Sequence, residues 1–220
     1  MTDVAPVTLA QLRAAFPALP ESPLIDRAFA YARDRSPAYL FNHVARSWMF
    51  AARLAALELV EHDAEVLAVS TLLHDLGLTD HAPGPNRFEV NGAGVAAAFA
   101  REQGFDDRRA QLVWDSIALH ATPSISVFKE PEVALCARGI GIDFGTPDND
   151  VLGAAAIAST IAAAPRLDMK RRFTACLCHM AKTRPEITYA NFIRDFGERL
   201  VPGYRAPSWV DAVFSGPFSE

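Results

Sequence analysis

Cysteine is scarce in this chain: there are three in 220 residues, Cys136, Cys176 and Cys178. They are odd in number, sit in apolar surroundings and lack a C-x-x-C spacing. That argues against a disulfide framework or a thiolate metal site and fits reduced thiols in a cytoplasmic protein. No apolar run approaches the roughly 20 residues that a membrane span needs. The Ala-rich stretch 154–164 is too short and carries Ser159 and Thr160. The first six residues have neither a basic start nor an apolar block, so no secretory signal is expected. Positive charge is not in excess either: 21 Lys and Arg face 26 Asp and Glu, for a net charge of -5. This speaks against nucleic acid or an anionic membrane as the partner. The run Lys170-Arg171-Arg172 then reads as a solvated basic turn. Internal repeats, low-complexity tracts, domain linkers and the period-2 alternation of half-buried strands are all missing.

What is there is helix after helix. Half of the residues are hydrophobic and 21% are charged, which suits one large globular domain over 1–220 with a proper core. Thr8 is placed to cap a helix over 9–16, and Pro-rich sequence follows. Helical spacing of apolar residues continues over 24–34, 42–59 and 64–74, the last with Asp63 as its cap. Residues 79–88 read as a loop. Helices follow over 91–103, closed by Gly104, and 107–119, capped by Asp106. Pro131 opens a helix running to about 143, within which Gly139 and Gly141 either weaken the pattern or mark close helix packing. Further helices are expected over 154–164, 168–183 and 189–200, before a tail rich in proline and aromatics. The fold class is all-α.

Against this apolar background a few polar residues stand out. The stretch Thr71-Leu72-Leu73-His74-Asp75-Leu76-Gly77 ends a helix on two ionisable residues, which are costly to bury unless something binds them. A divalent metal is the commonest such partner, since imidazole and carboxylate suit Zn, Fe or Mn. The plainer alternative is a helix end with His74 in its last turn, Asp75 as turn former and Gly77 as cap. His43, in the first turn of its helix, could be a polar cap. Asp143, between Ile142 and Phe144, could be the buried partner of Arg138. Glu89 could do no more than complement the dipole of the helix it begins. His62 reads as a surface residue, and His179 as a packing histidine.

Taken together, His43, His74-Asp75 and Asp143, each on its own helix, resemble the HD superfamily of metal-dependent hydrolases. The resemblance implies a helical bundle around a central metal. It identifies 36–145 as the metal-binding core, flanked by N-terminal helices over 1–35 and C-terminal helices and tail over 146–220. It makes His43, His74, Asp75 and Asp143 the metal ligands. Leu40-Phe41-Asn42-His43, Leu72-Leu73-His74-Asp75-Leu76-Gly77, Arg87-Phe88-Glu89-Val90-Asn91-Gly92-Ala93 and Ile117-Ala118-Leu119-His120 are similar to the branch containing cyanamide hydratase. That enzyme adds water across a nitrile to give urea with one zinc.

Two imidazoles and two carboxylates around one ion, zinc first with iron or manganese as alternatives, can leave a position for water, which such an ion acidifies. On this reading Asp75 belongs to both metal and chemistry. His120, outside the four-ligand pattern, acts on the substrate as proton donor, and Glu89 positions it. The expected activity is that of a hydro-lyase or hydrolase acting on a small molecule, a nitrile such as cyanamide foremost. Trp48 or Phe88 would wall its pocket. One alternative is a phosphohydrolase, for which Arg46 and Arg87 are the candidate phosphate holders. A second is a non-catalytic metal-binding module. A third, di-iron oxygenase chemistry, would need an extra ligand from His81 or Glu89. The sequence leaves a homo-oligomer open.

Overall fold

The computed structural model describes residues 5–218, and among them all regular secondary structure is helical. Residues 1–4, within the stretch expected not to be a signal, and 219–220, at the end of the aromatic tail, lie outside the described residues. The chain divides into two compact units, Met1–Met169 and Lys170–Glu220.

The first unit is organised around α3 (Ala38–Glu58), which is buried without interruption from Tyr39 to Ala52. A helix buried on all sides needs a partner for each polar group it carries. Asn42 Oδ1 accepts from the Val7 amide at 2.9 Å, and Ser47 Oγ donates to the His43 carbonyl at 3.0 Å. His43 and Arg46 find theirs at the site described below. Phe41, Trp48 and Phe50 on this helix are essentially fully buried, each contributing about 1.5–3 kcal/mol. Pro37 precedes the first turn, so the helix starts earlier than apolar spacing alone suggests. His43 consequently lies in the second turn rather than the first.

Before it come α1 (Leu9–Ala15), held by a reciprocal capping box between Thr8 and Gln11, and α2 (Pro23–Arg35), capped by Ser22 with proline in its first turn. After it comes α4 (Ala64–Leu73), whose cap Asp63 accepts from the Glu65 and Val66 amides at 3.0 and 3.1 Å. A single 3-10 turn, Leu76–Leu78, follows. Then come α5 (Phe88–Glu102), which begins three residues ahead of the expected start, and α6 (Asp107–Leu119), capped by Asp106. The short α7 (Pro123–Ser126) leads to α8 (Pro131–Ile142).

Helix α8 lies directly against α3, and Gly139 is what allows it. A Cβ there would stand 2.7 Å from the Ser47 carbonyl oxygen and 2.8 Å from the Ala51 amide nitrogen. Of the two readings of this glycine, close helix packing is the one observed, and it brings the end of α8 behind His43. The unit closes with α9 (Asp148–Leu152), which periodicity did not announce, and α10 (Ala154–Ala163).

In the second unit, α11 (Met169–Thr183, its first residue in unit one) precedes α12 (Ile193–Leu200) and the unexpected α13 (Trp209–Phe214). Tyr189 lies ahead of α12 rather than inside it. Tyr204 rests on Gly197, where a Cβ would come within 2.6 Å of its ring, and its hydroxyl pairs with Thr188 Oγ1 at 2.8 Å. His179, expected to pack, is exposed, and Trp209, Phe214 and Phe218 are more than four-fifths exposed. His62, expected at the surface, is half-buried, with its Nδ1 donating to the Val60 carbonyl at 2.8 Å. No helix among the described residues is long and apolar enough to cross a membrane.

Candidate metal centre

Two helices deliver a histidine to the same place by the same local device. His74 follows the last residue of α4, and its Nδ1 donates to the carbonyl of Thr71, three residues back, at 2.9 Å. His120 follows the last residue of α6, and its Nδ1 donates to the carbonyl of Ile117, also three back, at 2.7 Å. The last carbonyls of a helix lack intrahelical donors, and an imidazole in the next position can supply one. A carbonyl only accepts, so in the neutral ring Nδ1 carries the hydrogen and Nε2 keeps its lone pair.

His43 is fixed from the other direction. Its Nδ1 lies 2.7 Å from Asp143 Oδ2, and a carboxylate, like a carbonyl, accepts. The Nε2 atoms of His43 and His74 then face each other at 3.3 Å. Asp75 Oδ2 lies 3.5 Å from the first and 3.4 Å from the second. That oxygen is buried and has no hydrogen-bond partner. Two imidazole nitrogens and a carboxylate oxygen thus converge in the buried interior. Two imidazole nitrogens with one carboxylate oxygen form a donor set that Zn, Fe and Mn accept. The buried group His43, His74 and Asp75 could hold a metal ion.

The charge states agree. Burial pulls the His43 imidazole below its ordinary value, despite the opposing pull of Asp143 and Asp75, so it is neutral near pH 7. Burial pushes the Asp75 carboxyl up, but His74, His43 and His120 more than offset this and hold it at about 2. His120 is drawn down to about 4, chiefly by burial and then by His74, and only partly restored by Asp75, Ile117 and Glu89. No family model matches the chain, and no curated protein matches it significantly.

Asp143, the fourth residue of the expected ligand set, is not one of the converging atoms. It lies on the Nδ1 edge of the His43 ring, and burial raises its carboxyl less than His43 and Arg46 lower it, so the net shift is downward. Arg138, the alternative partner for this aspartate, instead binds Glu58 and Asp148. His120 stands beside the cluster: its ring centroid is 4.9 Å from that of His74 and 5.7 Å from that of Phe88. Phe88 therefore walls the site, whereas Trp48 belongs to the hydrophobic core. Glu89, fully buried in the first turn of α5, accepts from Arg87 at 2.7 Å. His81 is exposed on its loop and does not join the cluster.

Arg46, a candidate phosphate holder in the sequence, is completely buried, and all three of its guanidinium nitrogens bond to protein. Sequence reasoning missed Arg166, whose Nη1 donates to both Asp143 Oδ1 and the Asp143 carbonyl. The signal for Arg46 was there: three residues after His43, it lies on the same face of α3.

Proposed function

We propose that this chain is a metal-dependent enzyme of the HD type, holding one divalent ion, zinc first, and adding water to a small uncharged molecule of the nitrile class. The observation that carries the reading is the buried convergence of His43 Nε2, His74 Nε2 and Asp75 Oδ2, a group that could hold a metal ion. A divalent ion bound there supplies a Lewis acid that acidifies water and polarises the electrophile.

The protein's own part lies with His120 and its neighbours. With Nδ1–H committed to Ile117 and the ring neutral near pH 7, His120 has one working atom, the Nε2 lone pair. It first accepts a proton from the attacking water and then gives it to the nitrogen that becomes negative. In that addition one C–O bond forms, one carbon–nitrogen π bond breaks, and the proton passes from water to nitrogen. Glu89 favours the transient imidazolium, since its charge raises the proton affinity of His120. Phe88 keeps the site apolar on one side. Arg46 and Arg87 are engaged by Asp143 and Glu89, which favours an uncharged substrate over a phosphoester.

The test is metal analysis of protein purified without added metal, followed by a panel of nitriles, cyanamide, amides and phosphoesters. One zinc per chain and turnover of a nitrile or cyanamide, abolished in His120→Ala with the metal retained, is the expected result. Two ions per chain with phosphoesterase activity would replace the reading by the phosphohydrolase one. No metal after reconstitution would leave a binding module.

A further inference from the structure

We propose that the ion is held by three protein atoms, those of His43, His74 and Asp75, and that Asp143 is the carboxylate that positions His43 from behind rather than a fourth ligand. The proposal rests on the metal-centre reading above and concerns how that centre is built.

Every strong acceptor site on Asp143 is already taken. Oδ2 accepts from His43 Nδ1 at 2.7 Å and from Arg46 Nη2 at 2.7 Å. Oδ1 accepts from Arg46 Nε at 2.8 Å and from Arg166 Nη1 at 2.7 Å. Arg46 approaches with the parallel two-point fork that guanidinium and carboxylate form best. The fork is itself anchored, because Arg46 Nη1 donates to the Ala164 carbonyl at 2.9 Å. Arg166 Nη1 also reaches the Asp143 main-chain oxygen at 3.0 Å. For Asp143 to turn toward the ion it would have to abandon a fully buried guanidinium, and an uncompensated buried charge is among the costliest defects a core can hold.

Its position against His43 is also the one an orienting group needs. A ligating imidazole binds through one nitrogen while the other donates to a carboxylate or carbonyl, which fixes the ring and raises the basicity of the binding nitrogen. His74 has the Thr71 carbonyl in that role, and His43 has Asp143. Two imidazoles and one carboxylate then hold the ion from one side, and the remaining positions go to water and substrate.

The experiment uses the full chain loaded with Co2+ or Zn2+, comparing wild type, Asp143→Asn, the double variant Arg46→Met/Asp143→Leu, and Asp75→Asn. Metal stoichiometry, affinity against a competing chelator and the visible Co2+ spectrum are recorded, with circular dichroism confirming the fold. The Asp143→Asn change keeps an oxygen that can accept from His43. The double variant removes that acceptor and the fully buried arginine together; Arg166 also loses its carboxylate, but it is 30% exposed and keeps the Asp143 main-chain carbonyl. The expected order of affinity is wild type, then Asp143→Asn, then the double variant. All three should bind one ion, the weakest by about 10–100-fold less than wild type, as outer partners of metal ligands typically contribute. Their Co2+ band positions should be unchanged, whereas Asp75→Asn should lose the metal.

Loss of metal from folded Asp143→Asn or the folded double variant as complete as in Asp75→Asn, or a shifted Co2+ band, would make Asp143 a ligand and overturn the proposal. Affinity in the folded double variant equal to wild type would also overturn it, by leaving Asp143 a merely structural role. Failure of the wild type itself to bind an ion would overturn the metal-centre reading on which the proposal stands.

Discussion

Gly77 and Gly94 allow the same chemical change, a single added methyl group, to be tested with opposite expected signs. Neither lies among the glycines with positive φ, so backbone strain does not enter for either. At Gly77 a Cβ would stand 1.9 Å from the Phe88 carbonyl oxygen, 2.6 Å from its carbon and 3.0 Å from its Cα. The obstacle is main chain at the start of α5, not the end of a flexible side chain, and it must retreat by roughly 1.5 Å to reach ordinary van der Waals contact. Overpacking of this kind costs about 1–3 kcal/mol, and rigid backbone places Gly77→Ala at the upper end. For a chain of this size that lowers the melting temperature by about 2–4 °C per kcal/mol. At Gly94, exposed within α5, a Cβ meets nothing within 4 Å. Gly94→Ala gains helix propensity of about 0.8–1 kcal/mol and should melt a few degrees higher. Thermal melts followed by far-UV circular dichroism separate the two. Melting temperatures that move in the same direction, or a Gly77→Ala protein indistinguishable from wild type, would refute the packing argument. Since the displaced segment carries Phe88 and Glu89, Gly77→Ala should also lower turnover in any assay that registers the wild type.

Arg46→Met strands the buried Asp143 carboxylate with only Arg166 and His43 and should cost about 3–5 kcal/mol in urea unfolding, more than the double change Arg46→Met/Asp143→Leu. Asp63→Ala removes the cap of α4 and both contacts to Arg109 at 2.8 and 3.1 Å, for an expected loss of about 1–2 kcal/mol at neutral pH. That difference should depend on acid. Burial raises the Asp63 carboxyl, but Arg109 and the Val66 and Glu65 amides lower it more, so it sits below its ordinary 3.8. A depressed carboxyl stabilises the fold above its unfolded value, and the contribution fades as pH falls through the folded value. Unfolding curves of wild type and Asp63→Ala should therefore converge below pH 3.8.

Helix content, the caps at Thr8, Asp63 and Asp106 and the ends at His74 and His120 were legible in the sequence because each rests on contacts within a few residues. The grouping of His43 with His74 and Asp75 came from the resemblance of the set to the HD superfamily, since each residue taken alone also reads as a helix cap or helix end. The role of Asp143 was not legible, because which edge of His43 it meets depends on how far α8 slides along α3, and Gly139 sets that through a contact with Ser47 and Ala51. Arg166 was missed for a related reason: nothing near it in the chain is acidic apart from Asp168, and its partner lies 23 residues away. The short helices α9 and α13 are too brief to show a periodicity.

The three hydrogen bonds that set the histidines differ widely in reach along the chain. Those of His74 and His120 close over three residues, whereas the bond from His43 to Asp143 closes over 100. Short closures form readily and long ones carry a loop entropy that must be met by packing first. During synthesis, the side chains of His43, His74 and Asp75 have left the ribosome well before the residue that fixes His43 is made. The order of assembly is therefore written into the chain: two histidines are aimed as soon as their helices form, and the third is aimed only when α8 docks. A metal ion supplied during refolding should bind in two phases, with the slower one following the docking of that helix.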